Sequence, residues 1–92
     1  MKFECPCGAI IRDNTDYQKH KAYYIPDELY EGAVEKIEAG ASPWVELRKV
    51  RRIMYQCSEC CRLFFDKPGS KNLFISYKPE EETSFGLLSA EY

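Results

Sequence analysis

Between residues 27 and 50 the apolar positions recur at helical spacing, and on either side of that stretch they alternate. Leu29, Tyr30, Ala33, Val34 and Ile37 fall on one stripe, with Glu28, Glu31, Glu35 and Glu38 off it. That pattern predicts a helix from about Asp27, a suitable cap, to about Ala39, with Gly40 as the stop. Ser42 followed by Pro43 marks a second start, because proline's fixed φ suits the first helical turn. This second helix is expected to carry Trp44, Leu47 and Val50 inward. Its basic residues then fall near its C-terminus, where the helix dipole favours cations. Downstream, Ile53, Tyr55 and Cys57 alternate, as do Leu63 and Phe65, then Leu73, Ile75 and Tyr77, which reads as strands. Lys67-Pro68-Gly69-Ser70 is a strong turn signal between the last two. Upstream, Ala9 to Arg12 and Ala22 to Ile25 read as short strands around a turn at Asp13-Asn14-Thr15-Asp16, where Asn and Asp bond their own backbone. The expected class is α+β: a small antiparallel sheet, with one or two helices inserted between two cysteine knuckles.

Ninety-two residues make one small domain (1–92), whose end (79–92) is an acidic tail with four Glu and no base. A chain this short buries a modest share of its surface, so a metal or cross-link adds noticeably to its stability. Hydrophobic residues make up 45%, which excludes disorder as a description. The net charge of −2 argues against a broad electrostatic grip on nucleic acid, although Arg48, Lys49, Arg51 and Arg52 fall within five residues. After Lys2 the chain lacks the apolar run and small-residue cleavage site of a secretory leader, and no apolar run approaches a membrane span. The expected compartment is the cytoplasm, where paired cysteines are more often metal ligands than disulfides.

Zinc prefers thiolates offered tetrahedrally as two close pairs from separate parts of the chain. Cys57-Ser58-Glu59-Cys60 has knuckle spacing and lies between strands. Cys5-Pro6-Cys7-Gly8 is one residue tighter, but Pro6 stiffens the turn and Gly8 permits positive φ. The expected ligands of a structural zinc ion are Cys5, Cys7, Cys57 and Cys60. The alternative is two separate pairs of free or redox-active thiols. Cys61 stands where such knuckles usually carry Gly; it is either packed beside the site or an alternative metal ligand. His20, the only histidine, has no ligand partner in sequence and reads as a surface or partly buried residue.

Cys57-Ser58-Glu59-Cys60 followed by Arg62-Leu63-Phe64-Phe65 resembles the second half of a zinc ribbon. With Cys-Pro-Cys-Gly first and Ile25-Pro26-Asp27 opening the helix, the layout is similar to small bacterial ribbon-like proteins of uncharacterised function. The resemblance covers most of residues 3 to 66, and only the cysteine pairs in it are specific. It implies a four-cysteine zinc site and carries little about activity.

Four protein ligands leave no open position for water, so hydrolytic zinc chemistry is not expected. No phosphate loop and no nucleophile with a credible base is present either, and the chain reads as a non-enzyme. The first function class is protein binding. Tyr17, Tyr23, Tyr24 and Tyr30 cluster in sequence, and acidic side chains suit a basic partner; an immunity protein covering a nuclease toxin is the sharpest version. The second is a nucleic-acid-binding ribbon that uses Arg48, Lys49, Arg51 and Arg52 on phosphates. The third is a thiol redox sensor built on Cys57, Cys60 and Cys61, which needs exposed, acidic thiols.

Overall fold

The structure is a computed structural model that describes residues 2–13, 18–66 and 73–90. Its elements are β1 (Lys2–Glu4), β2 (Ile10–Arg12), β3 (Lys21–Tyr24), α1 (Asp27–Glu38), α2 (Pro43–Val50), β4 (Arg52–Gln56), β5 (Leu63–Asp66) and β6 (Phe74–Tyr77). The fold is α+β, with two small antiparallel sheets: β1 pairs with β2, and four strands run in the order β3-β4-β5-β6. Both helices lie between the cysteine knuckles in sequence, as the pattern predicts. The Lys67–Ser70 turn and most of the Asp13–Asp16 turn lie outside the described residues. The chain forms two compact units, residues 1–22 with 53–92, and residues 23–52.

The first unit holds the main core. Cys5, Ile11, Tyr55, Cys57 and Phe64 are buried together, with Phe3, Ala9, Ile53, Cys60 and Phe74 packed on them. Phe3 stacks on Phe74 with ring centroids 4.3 Å apart and meets Phe64 and Tyr55 edge-on at 5.1 and 5.5 Å. β1 brings these rings into register, since Phe3 lies opposite Ile11 on β2. Strand alternation explains why Tyr55 and Phe64, which pair across β4 and β5, both turn inward. The Tyr55 hydroxyl is not left without a partner: it donates to the carboxylate of Asp13, which Lys21 also holds at 3.0 Å.

After β6 the chain continues as a strap. The Gly86 N–H donates to Gln56 Oε1 at 3.4 Å, and the Cys61 thiol donates to the Thr83 carbonyl at 3.4 Å. Phe85 and Leu88 are half-buried, whereas Glu80, Glu81 and Glu82 are exposed. Of the sequence's acidic tail, residues 91–92 fall outside the described part.

In the second unit α1 packs against α2. α1 begins at Asp27 itself, with Pro26 in the cap position and no side-chain cap bond. It ends at Gly40, whose φ of 105° lets the Gly40 N–H reach the Ile37 carbonyl (3.0 Å) and the Ala41 N–H reach that of Lys36 (2.9 Å). This is the paired bonding of a Schellman stop. The α1 stripe is only partly covered: Ala33 is buried and Val34 and Ile37 half-buried, but Leu29 and Tyr30 at its start are exposed.

The expectation for α2 is corrected. Trp44 does not point inward; it is 73% exposed, and the side chain buried from this helix is Glu46. Leu47 and Val50 are half-buried. Trp44 lies six positions before Val50, roughly 120° away round a helix, so a turn that tucks in Glu46 and Val50 leaves Trp44 outside. Glu46 tolerates its position because Lys49 (3.3 Å) and Lys36 of α1 (3.9 Å) approach its carboxylate.

Candidate metal centre

The two knuckles are built alike. In the first, the Cys5 N–H bonds to the Ala9 carbonyl and the Gly8 N–H to the Cys5 carbonyl, both at 2.8 Å. In the second, the Cys57 N–H bonds to the Arg62 carbonyl (2.9 Å) and the Cys61 N–H to the Cys57 carbonyl (3.0 Å). Gly8 and Cys61 are therefore equivalent, and both take positive φ, 97° and 64°. Cys61 is the only non-glycine residue in that region among the described residues. Knuckles usually carry Gly at this position, and the left-handed backbone is the reason.

These turns bring Cys5, Cys7, Cys57 and Cys60 together, with all four Sγ atoms within 4.8 Å of one another. Across the knuckles, Cys5 lies 3.4 Å from Cys60 and Cys7 lies 3.6 Å from Cys57. A tetrahedral zinc–thiolate site has sulfurs about 3.8 Å apart, from metal–sulfur bonds of about 2.3 Å, so the donor set and its spacing suit a four-coordinate soft ion. Cys5 and Cys57 are buried and Cys60 half-buried, while Cys7 is exposed at the rim. Cys61 is not part of the cluster; its thiol faces the Thr83 carbonyl.

Electrostatics mark the same place. Burial pushes the Cys5 thiol up to about 12, reinforced by its neighbouring thiols, and burial raises Cys57 as well. Cys60 goes the other way. Burial opposes its ionisation, but hydrogen bonds from the Arg62 backbone, Cys5 and the Arg62 guanidinium outweigh that and bring it down to about 6. Arg62 Nη1 lies 3.1 Å from Cys60 Sγ and 3.9 Å from Cys5 Sγ. Four thiolates cannot all ionise this close without a cation, and a bound metal displaces their protons. The sequence reading did not assign Arg62 a role. A cation two residues past the last ligand was its only signal there.

The other expected residues fall as follows. Tyr23 and Tyr30 are exposed, Tyr24 is half-buried, and Tyr17 lies outside the described residues. The Arg51 guanidinium sits 4.1 Å over the Tyr23 ring, and Lys49 pairs with Glu46. Arg48 and Arg52 are exposed and have no ion pair among the described residues. His20 bonds the Arg12 carbonyl through Nε2, far in role from a metal ligand. Gln56, which sequence reasoning passed over, is fully buried, with Nε2 donating to the Cys61 carbonyl and Oε1 accepting from Gly86. No local pattern could have pointed to it, because its partner lies on the strap. Among the described residues no helix is long and apolar enough to cross a membrane.

No curated protein matches the chain, and no solved structure does. A family model described as a domain of unknown function (DUF8617) matches residues 1–81, which include both knuckles and both helices, and the chain belongs to that family.

Proposed function

We propose that this is a non-enzymatic binding protein of the cytoplasm, whose four-thiolate centre holds one structural zinc ion and whose activity is contact with a protein partner. The observation that carries the zinc reading is the convergence of four Sγ atoms from two separately closed turns. Such a site is saturated by protein ligands, which supports a structural role over a hydrolytic one. Two cysteines of the cluster belong to the central core, so the ion would cross-link the hydrophobic centre of its unit. The partner reading is supported by the exposed aromatic side chains Tyr23, Tyr30 and Trp44, since Tyr and Trp are enriched at protein interfaces.

Nucleic-acid binding through Arg48 to Arg52 has less support. Lys49 and Arg51 are engaged within their own unit, leaving two uncommitted cations for phosphate. Redox sensing has less support too, because the Cys57 and Cys61 thiols it needs are buried.

Elemental analysis of protein purified without added metal tests the first half and is expected to give close to one zinc per chain. A folded, metal-free chain sinks it. Affinity capture with immobilised zinc-loaded protein tests the second. Specific recovery of nucleic acid instead of protein, resistant to physiological salt, would overturn the partner class.

A further inference from the structure

The outer face of α2 combines features that a solvated helix does not require. Trp44 is 73% exposed, the most exposed large apolar side chain of the described residues, and Val45 beside it is 49% exposed. One helical turn on, Trp44 is followed by Arg48, so an apolar and a basic side chain share the face turned away from buried Glu46, with Val45 at its flank. Arg48 and Arg52 have no ion pair among the described residues. From 43 to 52 the chain carries four cations (Arg48, Lys49, Arg51, Arg52) and one carboxylate (Glu46), a net of +3.

The same chain carries the complement. From 79 to 90 it has three carboxylates (Glu80, Glu81, Glu82) and no base, a net of −3. All three are exposed without an ion pair among the described residues, and Leu87 on the same strap is 45% exposed. A face that carries Trp44, Arg48 and Arg52 and a strap that carries Leu87 and three carboxylates are opposite in charge and alike in exposing apolar side chains, which makes the surface self-complementary between molecules. We infer that the outer face of α2, centred on Trp44 and Arg48, is a docking surface for a second copy of this chain, which presents its Glu80–Glu82 strap. The contact buries an anchoring Trp and Arg, the residue types that dominate interface energetics, and matched charges set its orientation. It names the partner in the binding-protein reading given above and rests on that reading.

Trp44 is the single tryptophan of the chain, so its emission reports on this surface alone. Zinc-loaded full-length protein is examined by sedimentation equilibrium and Trp44 fluorescence across concentration and salt. The expected result is self-association that weakens as salt rises, with Trp44 emission shifting to shorter wavelength as the complex forms. Arg48→Glu with Arg52→Glu in one variant, and Glu80→Lys, Glu81→Lys and Glu82→Lys in another, should each weaken self-association by about tenfold or more, through like-charge contact. Mixing the two variants should restore a complex, because one retains a native strap and the other a native α2 face. Zinc content, measured on every variant, separates the outcomes. A folded chain without zinc defeats the structural-zinc reading and leaves the interface standing. A zinc-loaded protein that stays monomeric at low salt, or a mixture that fails to associate, overturns the interface alone. So does a short oligothymidylate that shifts Trp44 emission in a chain showing no self-association.

Discussion

Replacing Cys57 by Ser should cost far more than replacing Cys61 by Ser or Gly, although the two are four residues apart and both buried. Cys57 is fully enclosed, sits in the core with Tyr55 and Phe64, and faces Cys7 at 3.6 Å across the cluster. On the structural-zinc reading proposed above, its loss removes one of four ligands. Structural zinc sites contribute about 10–16 kcal/mol in small zinc domains, while small proteins have a net stability of only about 5–15 kcal/mol. Losing even part of the first is comparable with the whole of the second, so Cys57→Ser should leave the cluster-bearing unit unfolded or metal-free at 37 °C. Cys61 lies outside the cluster. Cys61→Gly loses one long thiol–carbonyl contact and gains relief of a left-handed residue, about 1–2 kcal/mol, against about 0.5–1 kcal/mol of added backbone entropy in the unfolded chain. The net change should lie within about 1 kcal/mol of zero. Thermal unfolding with and without chelator, paired with zinc content, reads both variants. Equal damage from the two, or full zinc occupancy in Cys57→Ser, would refute the ligand assignment.

Asp13 gives a pH dependence with a defined sign. Burial raises its pKa, but the bonds from Tyr55 and Lys21 outweigh burial and hold it below the ordinary aspartate value, so its contribution is complete above that value and lost as pH falls through the folded one. Asp13→Asn should lower stability by about 1–3 kcal/mol at neutral pH and flatten the acid limb of a pH titration of unfolding; an unchanged acid limb counts against the reasoning. Glu46→Leu should be neutral or stabilising by about 1 kcal/mol or more, since an apolar side chain of similar size avoids desolvating a carboxylate whose lysine partners are mostly exposed. A loss of several kcal/mol in denaturant unfolding would show that the Lys36 and Lys49 contacts outweigh that cost.

What the sequence made legible is local. Pro6 and Gly8 specify the first turn whatever surrounds them, and the two-residue gap between Cys57 and Cys60 marks the second; that the two turns meet is a tertiary fact, and it decides between one cluster and two separate pairs. The end of α1 follows from Gly40 in the same way, whereas Asp27, expected as the cap, is the first helical residue and Pro26 takes the cap position. The orientation of α2 was not legible, because Trp44, Val45, Leu47 and Val50 lie all round that helix and no single apolar stripe selects its buried side. The choice goes to Glu46, which faces Lys36 of the other helix as well as Lys49 of its own, and the helix-to-helix packing that selects this side is not encoded in propensity or periodicity. Arg62 and Gln56 escaped for a related reason. Arg62 turns back on Cys60 two residues earlier and also approaches Cys5 of the first knuckle, and Gln56 holds the strap, so the cross-knuckle and strap contacts are fixed by tertiary structure.

Cys61 ties these parts together. A glycine there would satisfy the backbone, as Gly8 does in the first knuckle, and would avoid the strain. The cysteine instead presents its thiol to Thr83, while its carbonyl accepts from Gln56, whose other amide end holds Gly86. The turn that supplies Cys57 and Cys60 to the four-thiol cluster is thus the turn on which the strap is hung. These bonds are long, 3.4 Å each, so they order the strap only while the turn itself is fixed. Removing the metal should therefore loosen a segment that contains none of its ligands. Amide exchange read at Gly86 should accelerate on chelation by about tenfold or more before the Schellman stop at Gly40 responds, because Gly40 is held within α1 by its own backbone bonds. If Gly86 and Gly40 lose protection together, unfolding is global and the strap carries no separate link to the knuckle.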